Sequence, residues 1–483
     1  MSASRRDEDR TRLDGFELEI FKLVREGSTS KQWREWLRVP LEHAAAEGNL
    51  DLFTRLMDAG ANGSAGWQGC YGRTLLGAAA YGKSEEMVLT LLKAGAMDDV
   101  NLKFGYNQES ALHVAAACGA DRASNALMLA GADPNVLNVV RQSPLHLAAK
   151  AGHDGVVNNL LLKGADPKMR AGEGQTPLHL AAARGHALCV SKLVIGGADK
   201  DSRDRNDQTP LHLAARDNRL GAVEELLAAG ANVDLRREYG VRHVDLLTRL
   251  ILLRPGNSAS SSDPYCGCTA LHLAAGSGGY SDNGDVIRVL LEAGADIEAK
   301  TTDQTCGRTP LHIAVRAESS GNVRALLKGG ARASSRDASG FTPLHDACSK
   351  SLVGAVEALL CWGADEKLTG DDGRTAEEML NFRAKYEENN QRIQRMLERA
   401  PADRSWRRRR WLVLARSCPA KVQLAHVSGG GGDGGNGSST TIGKASRGGG
   451  DRSRDETADL ARLVGRVIGL DVEGVFRLVV GFL

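Results

Sequence analysis

The stretch GQTPLHLAAARGH, residues 174–186, decides the fold. It reads as the start of a short helix. Thr176 is placed to act as N-cap, its hydroxyl accepting a hydrogen bond from an early helical N–H. Pro177 follows at the first helical position, where a missing N–H costs nothing. Leu178, Ala181 and Ala182 make an apolar face whose small side chains let neighbouring helices approach closely. His179 falls at the third helical position, where a capping box would hold Glu or Gln reaching back to the cap. In the next copy a second helix follows over 223–227, and Gly230 is placed to end it in a left-handed conformation.

Aligned on the Leu before the histidine, copies fall at Leu112, Leu145, Leu178 and Leu211, 33 residues apart, and Leu311 and Leu344 continue the period. Less regular copies lie at Leu41, Leu76 and Leu271, with a truncated one over 373–380. Each regular copy has a Gly-Ala pair 19 and 20 residues after its Leu: Gly131-Ala132, Gly164-Ala165, Gly197-Ala198 and Gly230-Ala231. A 33-residue period carrying T-P-L-H-x-A resembles the ankyrin repeat, over residues 40–380. The resemblance implies an all-α fold, an α-solenoid of stacked helix-turn-helix repeats with β-turn fingers. About nine repeats and a closing half-repeat are expected. It also implies that the imidazole ties its repeat together.

Seven of the twelve histidines hold this slot: His113, His146, His179, His212, His272, His312 and His345. The first copy has Glu42 there, with His43 beside it, and the second has Gly77. As metal ligands the seven would have to converge within about 2 Å of one ion. Stacked repeats instead spread them out, one per layer. No metal or cofactor is expected, and the lone Cys266-Gly-Cys268 has no second pair with which to hold zinc.

Composition agrees with this architecture. Of 483 residues 42% are hydrophobic but only 4% aromatic, so the core is expected to be built from close-packed small side chains. A formal net charge of +2 argues against general nucleic-acid binding. The opening MSASRRDEDRTR, read as disordered over 1–12, has no apolar run for a secretory signal. Myristoylation would need a glycine where Ser2 stands, and the C-terminus has no prenylation box. No segment approaches the roughly 18 apolar residues of a membrane span. Nine scattered cysteines fit a reducing compartment, so the cytosol or the nucleus is expected.

The repeat array has one large interruption. Gly230 and Leu271 are 41 residues apart where regular copies have 14, an insertion of 27 that lengthens one finger over 235–267. Val244, Leu247, Leu250 and Ile251 in it keep helical spacing, and GNSASSSDPYCG reads as a loop. It is either an extra helix packed on its own stack or a partner-docking protrusion. A smaller insertion, SGGYSDNG at 277–284, extends the turn between two helices and reads as neutral.

The flanks read as caps. Phe16, Ile20, Phe21 and Val24, with Trp33 and Trp36, suggest N-terminal capping helices over 13–39. AEEMLNFRAKYEENNQRIQRMLERA is expected to continue from the half-repeat as one long amphipathic helix, opening a capping region over 381–427. Within that region Arg407–Arg410, between Trp406 and Trp411, is either a solvated helix face or an import or anion-docking signal. Residues 428–453 form a Gly/Ser-rich linker. Its phosphate-loop look-alike fails, with five residues between Gly437 and Gly443 and Ala445 where Ser or Thr should bind magnesium. In 454–483, Leu460, Leu463, Val464, Val467 and Ile468 mark amphipathic helices whose apolar side must be buried on the stack, on a partner, by self-association or at a membrane surface.

Ankyrin stacks bind proteins through a concave face of finger tips and first helices, so the resemblance implies a non-catalytic interaction scaffold. The alternative is an adaptor whose C-terminal helices recruit a larger complex while the stack selects a client. An enzymatic domain after residue 400 finds no nucleophile elbow, paired carboxylates or nucleotide loop to support it. The candidate partner-binding residues are those the repeat does not fix. Before the cap they are Arg205, Asn206, Gln208, Arg308 and Phe341; after the alanines they are Lys150, Arg184, Arg216, Asp217, Arg316 and Lys350. Basic residues outnumber acidic ones in the second set, which suggests a stripe complementary to an acidic partner segment.

Overall fold

A computed structural model describes residues 38–58, 74–94, 100–237, 267–277, 283–302, 307–380 and 387–401. The chain divides into two units, Met1–Gly329 and Gly330–Leu483. In the first, the described residues hold eight helix pairs: α1 (Arg38–Glu47) and α2 (Leu50–Asp58), α3 (Leu75–Tyr81) and α4 (Glu85–Lys93), α5 (Ala111–Cys118) and α6 (Asp121–Leu129), α7 (Pro144–Ala151) and α8 (Asp154–Leu162), α9 (Pro177–Arg184) and α10 (Ala187–Ile195), α11 (Pro210–Arg216) and α12 (Leu220–Ala228), α13 (Ala270–Gly276) and α14 (Gly284–Glu292), and α15 (Pro310–Arg316) and α16 (Ser320–Lys328). Odd-numbered helices pack on the next odd-numbered helix and, from α4 onward, even on even, giving a layered solenoid. The inner, odd-numbered helices bury small residues, such as Ala148 and Ala149, Ala181 and Ala182, and Ala214 and Ala215.

The histidine of each repeat does more than close a cap. The Thr176 N–H donates to Nδ1 of His179 at 3.2 Å, and the Thr176 hydroxyl lies 2.8 Å from the same nitrogen. The ring then reaches into the next layer, where Nε2–H donates to the Gln208 carbonyl at 3.0 Å. His113 and His146 repeat this on the carbonyls of Gln142 and Gln175, each 29 residues ahead. Only the neutral imidazole with its proton on Nε2 satisfies both sides. Burial pushes His113, His146, His179, His212 and His272 down to about 4 from the ordinary 6.5.

The register survives the large insertion. His212 donates to the carbonyl of Cys268, 56 residues ahead at 3.3 Å, which is the usual 29 plus the inserted 27. Arg237 and the Gly267–Cys268 pair close the neck with two backbone hydrogen bonds of 2.9 and 2.7 Å, so the insertion leaves and re-enters the stack at one point. The helix expected at 244–251 lies outside the described residues. In the second repeat, Gly77 leaves the slot empty of imidazole, and the buried Phe104 ring occupies the space, so close that a Cβ on Gly77 would lie 2.4 Å from it.

A second ladder runs the opposite way. Nε2–H of His153 donates to the Ala117 carbonyl at 3.1 Å, that of His186 to Lys150 at 3.2 Å, and Nε–H of Arg219 to Ala183 at 3.2 Å, each 36 residues back. These donors lie over Gly119, Gly152 and Gly185, the left-handed C-caps of the inner helices. At the small insertion, the fully buried Asn322 performs the equivalent task, donating to the carbonyls of Ala274 and Ala275.

In the second unit, α17 (Pro343–Ser349) and α18 (Val353–Cys361) form a further pair, and His345 donates to the Arg374 carbonyl at 3.2 Å. The expected long helix is interrupted: Glu377–Met379 is a single 3-10 turn that ends in extended backbone at Leu380. Helix resumes over 387–401, burying Ile393 and Leu397, and the Ser351 hydroxyl donates to Asn390 Oδ1 at 2.7 Å. The N-terminal cap over 13–37, the Arg407–Arg410 run, the linker and the 454–483 helices lie outside the described residues.

Two predictions follow from the ladders. The five buried imidazoles are neutral in the folded state and titrate near 6.5 when unfolded, so protons bind the unfolded chain preferentially below that pH. Stability is fully present above about pH 6.5 and falls between 6.5 and 4 by up to about 1.4 kcal/mol per histidine per pH unit. Urea unfolding followed by circular dichroism across that range should show a steep decline. His179→Leu should cost about 2–4 kcal/mol at pH 7 by orphaning the Thr176 N–H and the Gln208 carbonyl, and should reduce the acid slope by one proton. The second prediction contrasts two left-handed glycines. A Cβ at Gly152 would lie 2.5 Å from the His186 ring, whereas at Gly164 it would meet nothing within 4 Å. Gly164→Ala should cost about 1 kcal/mol and Gly152→Ala at least twice that, read from urea midpoints.

Candidate functional site

The candidate residues of the first unit are positioned by the two ladders. Lys150 and Arg184 stand exposed on the last turns of α7 and α9, beside the carbonyls of Lys150 and Ala183 that His186 and Arg219 hold in place. Arg216 is exposed at the end of α11 and Arg316 at the end of α15. Counted from the repeat Leu, Lys150, Arg216 and Arg316 sit five residues on, while Arg184 and Asp217 sit six residues on. The basic residues therefore occupy two adjacent files of the inner helices.

Their charges are not equivalent. Arg216 holds Asp217 in a forked pair, Nε to Oδ1 at 2.8 Å and Nη2 to Oδ2 at 3.2 Å, and this raises the Arg216 pKa. An acidic partner gains less there than at Lys150 or Arg184. Arg216 also feels Asp204, whose carboxyl is pushed up by its burial at the base of the finger that leads into α11. That coupling places the finger base and the inner-helix end within electrostatic reach of each other.

Of the residues before the caps, Arg205 and Asn206 are exposed at a finger tip. Gln208 is not on the surface. It is buried, its N–H donating to Asp204 Oδ1 at 2.9 Å and its carbonyl receiving His179 and the Asp204 N–H. Arg308 is half-buried, and its carbonyl accepts from His272 at 3.1 Å. In the second unit, the Phe341 ring lies 5.5 Å from that of His345, tilted by 55°, and Lys350 is half-buried after α17. Gln208 and Arg308 thus serve the repeat's own bonding, because the residue just before the cap supplies the carbonyl that the preceding layer's imidazole requires, while the Phe341 carbonyl accepts from the Asp337 N–H of its own finger.

The finger stems carry a basic ladder of their own. Arg170 donates to the Arg203 carbonyl, Arg203 to that of Arg236 at 3.2 Å, and Arg236 to that of Lys300 at 2.7 Å. These guanidiniums tie one finger to the next. Residues missed from the sequence lie at the tips: Tyr106, Val139 and Val140 are exposed, where the following fingers carry Gly172-Glu173 and Arg205-Asn206. Another exposed apolar file, Leu129, Leu162 and Ile195, ends the outer helices α6, α8 and α10 at the same 33-residue spacing. Both were legible as apolar residues at positions where other copies are polar or small.

Among the described residues no group of three or more His, Cys, Asp or Glu could hold a metal ion. Both ring nitrogens of His113, His146, His179, His212 and His272 already have protein partners. Burial pushes the Cys189 thiol up to about 11 and Cys348 up to about 12, which leaves both unreactive near neutral pH. No helix among the described residues is long and apolar enough to cross a membrane.

No curated protein matches the chain. Among solved structures, the ankyrin repeat domain of Bcl-3, described as a unique member of the IκB protein family, is similar at 29% identity. The similarity covers 53% of this chain and 98% of that one, with a TM-score of 0.41. The ankyrin repeat domain of human ASB11 is similar at 23% identity over 59% of this chain and 98% of that one, with a TM-score of 0.39. The family of ankyrin repeats (3 copies) matches residues 41–138, 145–237, 239–337 and 280–369. With that match over most of the chain, and with helix pairs tied layer to layer by the T-P-L-H histidines, this protein belongs to the ankyrin repeat family.

Proposed function

We propose that the chain is a non-catalytic scaffold that binds a protein partner on the concave face of its first unit. Ankyrin repeats are generally protein–protein interaction modules. The observation that carries the finer reading is the exposure of Lys150 and Arg184 on neighbouring inner helices, each on a backbone fixed by the next layer. A surface already ordered has little entropy left to lose on binding. Two unpaired cations on such a surface favour a partner segment with acidic side chains.

The test is affinity purification of the full chain against Lys150→Glu/Arg184→Glu, followed by binding measurements on each recovered partner at low and high salt. The double variant should weaken the main partner at least tenfold, and wild-type affinity should fall as salt rises. Arg216→Gln/Asp217→Asn, which removes the cation together with its counter-ion, should have a smaller effect, since that pair carries no net charge. A partner held equally by the wild type and the double variant, with no salt dependence, would refute the reading.

A further inference from the structure

Four consecutive fingers of the first unit differ at their tips in a way the repeat does not require. Tyr106 is fully exposed, and Val139 and Val140 are 61% and 53% exposed. Turn tips favour Gly, Asn and Asp, which supply left-handed backbone or local hydrogen bonds, so a Val-Val pair there has no local reason. The tips are bonded side by side. The Val139 N–H donates to the Asn107 carbonyl at 2.9 Å, the Gly172 N–H to Val140 at 2.9 Å, and the Arg205 N–H to Glu173 at 3.1 Å. The result is a continuous rim with Tyr106 and Val139-Val140 at its start, the exposed Glu173 on the intervening finger and the cationic Arg205 at its end.

We infer that this rim is a two-part docking track for an extended segment of the protein partner. An aliphatic or aromatic side chain of that segment seats on Tyr106, Val139 and Val140, and its acidic residues run towards Arg184 and Arg205. This inference rests on the scaffold reading and adds the partner's chemistry and its direction along the stack. Stacked helices lie 8–10 Å apart, so the two layers from Val140 to Arg205 span about 20 Å. An extended chain covers that in about six residues. Tyrosine is among the side chains that dominate interface energies, because it covers a large area for little lost freedom. The apolar end supplies the anchor, and the cationic end fixes the polarity.

The test is selection of random 16-residue peptides by display on the immobilised full chain, with the best peptide then synthesised and measured by fluorescence anisotropy. Enriched peptides should carry a large apolar residue with acidic residues about six positions away. The combined variant Tyr106→Ser/Val139→Ser/Val140→Ser should weaken the peptide at least tenfold. Leu162→Ser, on the outer apolar file, should leave it unchanged, and circular dichroism should show every variant folded. Should the tip variant bind normally while Lys150→Glu/Arg184→Glu does not, the inference fails and the scaffold reading stands. A peptide released by Leu162→Ser would put the apolar seat on the outer helices and also defeat it. A selection that enriches nothing, or peptides indifferent to both sets of variants, would count against both.

Discussion

A neutral imidazole that accepts on one nitrogen and donates from the other is the interaction on which the rest of the structure depends. In His113, His146, His179, His212 and His272, Nδ1 receives the cap N–H of its own helix, and Nε2–H reaches the carbonyl before the next cap. Glutamate or glutamine at the same position could close the first contact as an ordinary capping box. A carboxylate could not make the second, since it has no proton to give a carbonyl. Glutamine could donate, but its flexible chain would have to be frozen into a single rotamer, whereas imidazole is a rigid plate with its two polar atoms on opposite edges. One side chain therefore couples the ending of a helix to the stacking of a layer, and repeats that cannot bury their faces alone acquire a fixed register.

That coupling explains how a 27-residue insertion is tolerated. The ties bind positions in space and are indifferent to the length of chain between them. His212 finds the Cys268 carbonyl as His179 finds Gln208, and Arg237 pairs with Gly267 and Cys268 across the inserted length. The return ladder of His153, His186 and Arg219 braces the far end of each inner helix. Every inner helix in that region is thus held at both termini by a neighbour. The glycines at Gly119, Gly152 and Gly185 belong to this arrangement as much as to helix ending, because their bare Cα atoms leave room for the bracing side chain.

The period, the caps and the helix pairs were legible in the sequence because they arise from local rules repeated many times. Thr, Pro and His act within one turn, and 33-residue recurrence exposes them. What could not be read is the part that depends on two layers at once. Gln208 looked like a variable surface residue, yet its carbonyl is the acceptor for a histidine 29 positions earlier, which makes it interior. Arg216 and Asp217 read as a cation and an anion in sequence order, while their forked pairing needs the geometry at the end of α11. The Leu380 break replaced an expected continuous helix because local helical periodicity carries no information about where the closing half-repeat must turn. The Gly-His dipeptides at 152–153 and 185–186 were visible at the same period and could have revealed the second ladder.

The same division bears on function. Positions consumed by the ties are constrained in every layer, so variation is pushed to the finger tips, the last turns of inner helices and the ends of outer helices. Those are the places that carry this chain's own pattern of side chains: Tyr106 and Val139-Val140 on the tips, Lys150 and Arg184 on the inner ends, Leu129, Leu162 and Ile195 on the outer ends. A side chain exposed on a rigid lattice keeps its position relative to its neighbours one layer away, so spacing is itself a recognition element. Charge alone would accept many acidic segments, and an apolar tip alone would accept many hydrophobic ones. Holding the two about 20 Å apart on a braced frame rejects segments that carry only one, or both at the wrong separation. On the proposed docking, the histidine ladder would thereby be part of the specificity, because it sets the distance between these groups.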